Sequence, residues 1–234
     1  MTLKLGYIAL TVFMFLLLIR FGNHAINKSA HDQQDKTRKK RTLLIAMLLW
    51  QVYVLALGSS GFLASFDLPP RMPLLLILPL FTFIAVFLSR NKAKKWIQTI
   101  PTLWLTGLQS FRIVVETLFV FSVTAGILHE NVTILGYNYD MIVGLTAPIM
   151  ALVIYRSKTT PKKLLIAWNF FGIAVLACTV FVFLSTAFFP NIYGFETTPL
   201  STDFGIYPYV LIPGFLMPTA IFVHVLSIVQ LRRT

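Results

Sequence analysis

Apolar residues run through this chain in seven long stretches that are separated by short polar segments. A membrane-crossing α-helix needs about 17–25 predominantly apolar residues, and each stretch reaches that length. The pattern predicts an all-α fold: an integral membrane bundle of seven transmembrane helices that forms a single domain over residues 1–234. The expected spans are 5–21, 43–64, 73–89, 102–125, 138–156, 163–187 and 208–231.

Lysine and arginine occupy every second connection between the stretches. They lie in the connections 22–42, 90–100 and 156–163, and two more follow the last stretch, Arg232 and Arg233. The connection 156–163 includes Lys158. Basic residues in short loops mark the cytoplasmic side of a membrane protein. We therefore expect the N-terminus outside and the C-terminus in the cytoplasm. The first stretch is expected to stay as a span, because its positive charge follows the apolar residues instead of preceding them.

The composition agrees with a multi-pass protein of the cell membrane. Of 234 residues, 57% are hydrophobic and 12% are charged. A net charge of +12 would suggest nucleic acid as the partner of a soluble chain, but here membrane topology explains the basic loops, so no nucleic acid is expected. The lipid bilayer is the expected partner. The basic cluster offers a possible contact with anionic lipid, although it also serves as a topology determinant: Lys36, Arg38, Lys39, Lys40 and Arg41.

The fourth stretch carries an arginine and a glutamate in its middle. At about 100° per residue, its polar side chains share one face of a helix: Thr102, Thr106, Gln109, Arg112 and Glu116. A charge near the bilayer centre costs about 2.5–3.5 kcal/mol on insertion scales, so this face should point into the bundle. Arg112 and Glu116 stand four residues apart, and we expect them to pair. The pair is either a structural lock or a ligand or ion site.

Three further polar residues are candidates for the same site. Asp140 begins the fifth span, and a long arginine could reach it from the fourth; alternatively, it only caps its own helix. His224 in the seventh span could relay protons or simply bond a neighbouring helix. Asn169, with Thr106, is a secondary polar candidate that could also hold helices together.

The stretch of about residues 103–150 resembles a group of uncharacterised bacterial seven-span membrane proteins. The likeness rests on Gln109-Ser-Phe-Arg112-x-x-x-Glu116, Asn138-Tyr-Asp140 and Gly144-Leu-Thr-Ala-Pro148. It implies a bacterial inner membrane and supports the choice of residues. The resemblance implies no particular activity.

Several chemistries lack their sequence signals. The four histidines, His24, His31, His129 and His224, have no metal-ligand spacing, so no metal or other cofactor is expected. No glycine-rich phosphate loop or nucleophile motif occurs, and no catalytic residue is assigned. An enzyme is therefore the third hypothesis. The first is a transporter of an unknown small solute or ion, and the alternative is a seven-helix membrane sensor or partner-binding protein.

Overall fold

The computed structural model describes residues 2–29, 32–157 and 159–233. Within them the chain forms eight α-helices and no β-strand: α1 Thr2–Lys28, α2 Gln33–Ser59, α3 Leu78–Asn91, α4 Thr102–Leu108, α5 Phe111–Thr124, α6 Asp140–Arg156, α7 Lys162–Phe188 and α8 Met217–Leu231. The predicted all-α class is confirmed. His31 and Lys158 lie outside the described residues.

Each of the seven apolar stretches coincides with a helical segment, and α4 and α5 share the fourth. In the part of the chain that the structure describes, six segments are long and apolar enough to cross a membrane: Thr2–Lys28, Gln33–Ser59, Pro73–Asn91, Thr102–Thr124, Lys162–Phe188 and Ile212–Leu231. The remaining stretch, the fifth along the chain, forms α6, which is shorter and has 17 residues. The helices α1 and α2 run further than their apolar stretches at the 22–42 connection, because the backbone stays helical into the polar residues there.

Two of the segments begin with a turn of π-helix next to a proline. These turns are Pro73–Ile77 before α3 and Ile212–Leu216 before α8. A proline has no N–H and leaves the carbonyl four residues earlier without its helical donor.

Two side chains of α2 satisfy these carbonyls. The hydroxyl of Tyr53 donates to the Leu75 carbonyl at 3.2 Å, four residues before Pro79. The Trp50 indole N–H donates to the Gly214 carbonyl at 2.7 Å, four residues before Pro218. The two proline-bearing segments are therefore tied to the same helix.

The bundle places its most buried helices on the inside and leaves apolar side chains on its outer surface. The segments 102–124 and 212–231 are the most buried, as predicted for the fourth span. By contrast, Leu49 of α2 is 64% exposed and Phe181 of α7 is 65% exposed.

The basic segments meet at one end of the bundle, which we call the basic end. There His24 near the end of α1 bonds the Thr99 carbonyl at 3.1 Å. The Gln230 amide near the end of α8 donates to the Ile97 and Ile100 carbonyls at 2.8 and 2.6 Å. At the opposite end, the loop 126–139 and the segment 189–211 cover the helices, and the Ser201 N–H donates to the Ile127 carbonyl at 3.2 Å.

Candidate functional site

Arg112 sits directly after a break in the fourth helical segment. The α-helix α4 ends at Leu108, and the next bonds are short-range: the Ser110 N–H donates to the Gly107 carbonyl, and the Arg112 N–H donates to the Gln109 carbonyl. Arg112 thus becomes the second residue of α5, and it is only 1% exposed. A buried guanidinium requires partners for its N–H groups, because burying an unpaired charge is costly.

Asp140 provides the counter-charge. Arg112 Nε donates to Asp140 Oδ2 at 2.8 Å, and Nη2 donates to Oδ1, so the pair is bidentate. Asp140 is the first residue of α6, and Gly144 lets that helix lie close to α5. A Cβ at Gly144 would fall 2.9 Å from the Ile113 backbone nitrogen. The sequence left open whether Asp140 pairs with the arginine or only caps its own helix, and the structure shows the pairing.

His224 from α8 is the second partner of the guanidinium. Its Nε2 lies 3.1 Å from Arg112 Nη1, and its Nδ1 lies 2.9 Å from Asn169 Oδ1. Because a guanidinium can only donate, Nε2 accepts, and the ring hydrogen sits on Nδ1 and is donated to Asn169. The Asn169 amide nitrogen in turn donates to Ser227 Oγ at 3.1 Å. These bonds fix His224 as a neutral imidazole.

Gly172 of α7 makes the space that His224 needs. A Cβ at this glycine would overlap Cε1 and Nε2 of the imidazole ring. Trp168, one turn earlier on α7, packs edge-on against the same ring with centroids 5.5 Å apart. The side chain of His224 is therefore held by a small residue and an aromatic residue of one helix.

The predicted pair between Arg112 and Glu116 is wrong. Glu116 is buried, and its Oε1 accepts the Ile134 N–H while its Oε2 accepts the Asn138 amide at 2.9 Å. The loop 126–139 folds over α5 and provides these donors, whereas the guanidinium of Arg112 donates to Asp140 of α6. Among the described residues Glu116 forms no salt bridge.

Asn138 and Thr179 belong to the site although the sequence assigned them no role. Asn138 Oδ1 accepts the Asp140 N–H at 2.9 Å and the Thr179 hydroxyl at 2.8 Å. Asn138 thus links the Glu116 contacts to the Arg112–Asp140 pair. Its position two residues before Asp140 is a usable signal, whereas one threonine in the apolar run of α7 gives none.

The polar face of α4 and of the residues that follow it lies against α8 and forms a polar seam that consists of Thr102, Thr106, Gln109 and Arg112. Thr102 donates to Gln230 Oε1 at 3.0 Å, and the Gln109 amide donates to the Ala220 carbonyl at 3.0 Å. Thr106 Oγ1 and Gln109 Oε1 are buried without a hydrogen-bond partner among the described residues. A buried polar atom without a partner costs about 1–3 kcal/mol, so both atoms favour a polar molecule beside them.

An apolar cavity of about 60 Å³ lies on the other side of the site. Phe119, Phe183 and Phe204 contribute to its wall, together with Thr179. Since Thr179 also donates to Asn138, the cavity and the polar network share a side chain.

These features define a class: a helical bundle with long apolar helices around a buried, hydrogen-bonded arginine–aspartate pair. The family model of a domain of unknown function (DUF8737) matches residues 69–232, and the chain belongs to this family. The match includes Arg112, Glu116, Asp140, Asn169 and His224. No curated protein and no solved structure matches the chain significantly.

Proposed function

We propose that this protein is a transporter of a small solute or ion in the bacterial cell membrane, with Arg112 and Asp140 at its binding site. Seven membrane crossings account for the helices and for the exposed apolar side chains of α1, α2 and α7, which lipid would cover. The basic segments gather at one end of the bundle, and this supports a cytoplasmic C-terminus and an outer N-terminus.

The observation that carries the proposal is the fixed cation at Arg112. Its guanidinium has five N–H donors, of which three are used in the bonds to Asp140 and His224. A carboxylate can bond a guanidinium in the same bidentate way as Asp140 does. A small carboxylate or zwitterion is therefore the solute that fits, and it would bind by replacing Asp140 on Arg112.

Charge balance links this exchange to a proton. In the closed pair, Arg112 and Asp140 neutralise each other. If a monoanion takes the place of Asp140, the released aspartate is a buried charge without a partner, which is costly inside a membrane. Uptake of one proton by Asp140 restores neutrality. The transport cycle would thus move one anion together with one proton.

Thermal unfolding in detergent, with lactate, pyruvate, succinate, glycine and betaine as probes, tests whether the pair binds solute. We expect at least one probe to raise the melting temperature of the wild type and to have no effect on Arg112→Met/Asp140→Leu. The matched control, Arg38→Met/Asp35→Leu, makes the same changes at an exposed pair 3.6 Å apart and should keep the response. An identical response of the wild type and the Arg112/Asp140 variant would show that the pair is scaffold.

A membrane sensor is the second candidate, and α2 is the feature that favours it. This helix begins at Gln33, about ten residues before its apolar stretch, and its first turns carry the basic cluster 36–41. Such a basic helical extension at the basic end could dock an acidic cytoplasmic partner. A wild type that responds to no probe in the screen would favour this function over transport.

A further inference from the structure

A groove at the basic end lies on the outer surface between α1 and the start of α4. It has a volume of about 450 Å³. Arg20, Asn23 and Asn27 line it from one face of α1, since residues three and four apart on a helix are neighbours. Trp104 of α4 lines it from the other side. A polar face here is unexpected, because the preceding part of α1 exposes apolar side chains such as Phe13.

Trp104 is held in place by three side chains of α1. It stacks on Phe21 with ring centroids 5.2 Å apart, and His24 packs against its edge at 4.9 Å. The guanidinium of Arg20 lies over the indole, 5.8 Å from its centroid, in a cation–π arrangement. His24 is itself fixed, since its Nε2 donates to the Thr99 carbonyl. The wall of the groove is therefore preorganised.

Arg20 has charge to offer to a ligand. It is exposed, and in the part of the chain that the structure describes the salt bridges are Arg38–Asp35 and Arg112–Asp140, so Arg20 forms none. Its planar guanidinium matches the geometry of a phosphate, and the amides of Asn23 and Asn27 add neutral donors on the same face.

The groove also has an apolar end. It is lined by Leu16, which is 59% exposed and lies one turn before Arg20 on α1, and by Ile19, which directly precedes Arg20. A free phosphate would make no use of this wall, whereas the acyl chain of a lipid would lie along it.

From this arrangement we propose that the groove binds an anionic phospholipid, with the phosphodiester on Arg20 and the adjacent amides and an acyl chain on Leu16 and Ile19. The proposal rests on the membrane placement given above, but it does not depend on transport. The site is separate from the basic cluster 36–41, which lies on α2 and carries no groove-lining residue. It would hold one lipid in a defined position.

The test is lipid retention by the purified full chain, measured by native mass spectrometry after extraction from nanodiscs that contain equal phosphatidylglycerol and phosphatidylcholine. We expect the wild type to retain phosphatidylglycerol preferentially. The variant Arg20→Gln/Asn27→Leu should lose about fivefold or more of this preference, since each basic residue at an anionic surface contributes on the order of a fivefold change in binding. Arg90→Gln, a basic-end arginine outside the groove, is the matched control and should behave as the wild type.

Four outcomes would overturn the proposal. Equal phosphatidylglycerol retention by the groove variant and the wild type would remove the site. If Arg90→Gln loses retention to the same extent as the groove variant, the lipid is held by the general surface charge and not by the groove. Stabilisation of lipid-free wild type, but not of the groove variant, by inorganic phosphate would assign the groove to a soluble phosphate. If all three proteins fail to enter nanodiscs, the membrane placement itself is refuted.

Discussion

The guanidinium of Arg112 lies where α5, α6 and α8 meet, and it donates to Asp140 and to His224. Glu116, one turn further along α5, instead accepts bonds from Ile134 and Asn138 of the neighbouring loop. The two acidic groups therefore differ in what their neutralisation would leave behind. Loss of charge at Asp140 isolates a buried cation, whereas loss of charge at Glu116 disturbs hydrogen bonds to neutral donors.

Neutralising Asp140 should therefore destabilise the protein more than neutralising Glu116. We expect Asp140→Asn to lower the free energy of unfolding by about 3–5 kcal/mol, because Arg112 loses its counter-charge. Glu116→Gln should cost about 1–3 kcal/mol, since its amide group faces a donor. Unfolding in a mixed-detergent titration measures the free energy of unfolding of both variants. The control is Asp35→Asn, which removes a charge from an exposed pair and should change this free energy little.

The double variant Arg112→Met/Asp140→Leu should recover much of the stability that Asp140→Asn loses, because apolar residues can replace a buried ion pair. If the double variant instead loses as much stability as Arg112→Met and Asp140→Leu lose together, the two side chains do not interact.

The sequence identified most of the site residues but not all of their contacts. Burial of a charge in an apolar stretch is a local signal, and it marked Arg112 and Glu116 as inward-facing, as the structure has them. The partner of Arg112 depends on how α6 packs on α5, where Gly144 permits close approach. Spacing along one helix favoured Glu116 and could not reveal the loop that takes this carboxylate. Thr179 was missed for the same reason.

Two helical glycines, one inside α7 and one near the end of α4, differ sharply in their surroundings. Gly172 of α7 faces the ring of His224, and a Cβ there would overlap it. A Cβ at Gly107 of α4 would meet no atom within 4 Å. The contact between α7 and α8 thus depends on the absence of a side chain at Gly172.

Alanine substitutions at these glycines should have opposite effects. Gly172→Ala forces His224 away from Arg112, and we expect it to destabilise the protein by about 1–3 kcal/mol, as overpacking does. Gly107→Ala should stabilise it by up to about 1 kcal/mol, because alanine is the better helix former. Thermal unfolding of both variants in one detergent measures the difference. Equal effects would contradict the close packing of α7 on His224.

The π-turns couple α2 to α3 and α8 through single hydrogen bonds. Pro218 leaves the Gly214 carbonyl to Trp50, and Pro79 leaves the Leu75 carbonyl to Tyr53. The prolines are visible in the sequence, and so is the need for a donor, but which aromatic residue of α2 supplies it depends on the packing. The break between α4 and α5 at Gln109 and Ser110 likewise had no distinct sequence signal.

A double-mutant cycle tests this pairing of donors with prolines. Trp50→Phe should cost about 1–2 kcal/mol because the Gly214 carbonyl loses its donor. In a Pro218→Ala background the cost should fall by roughly 1 kcal/mol, since alanine restores a backbone N–H. The Pro79→Ala background is the control, in which the cost of Trp50→Phe should be unchanged. Equal costs in all three backgrounds would refute the pairing.

The distribution of charge over the molecule follows the two ends of the bundle. The basic segments meet where α1, α8 and the connection 92–101 are joined by His24 and Gln230. Glu130, Glu196 and Asp203 lie on the segments that cover the other end. Hydropathy predicted all seven helical stretches because a run of about twenty apolar residues is visible in the local sequence. The helix boundaries at the basic end were less well predicted, since polar residues there are also helical.

Thiol labelling of intact cells tests the proposed orientation. In a Cys178→Ala background, a cysteine at Arg38, whose side chain is 78% exposed, should be shielded from an impermeant maleimide. A cysteine at Thr197, which is exposed at the opposite end, should be labelled. Permeabilised cells provide the control, because both positions should then react. Labelling at position 38 in sealed cells would reverse the orientation.

Uptake by proteoliposomes tests the proposed transport through the Arg112–Asp140 site most directly. Vesicles with a pH-sensitive dye inside would be given radiolabelled lactate, pyruvate, succinate, glycine or betaine. We predict that the wild type accumulates at least one of these solutes, with acidification of the interior when the solute is an anion. Arg112→Met/Asp140→Leu, inserted to the same level, should accumulate none, while Arg38→Met/Asp35→Leu should match the wild type. Equal accumulation by the Arg112/Asp140 variant and the wild type, or accumulation of no solute by the wild type, would contradict the account.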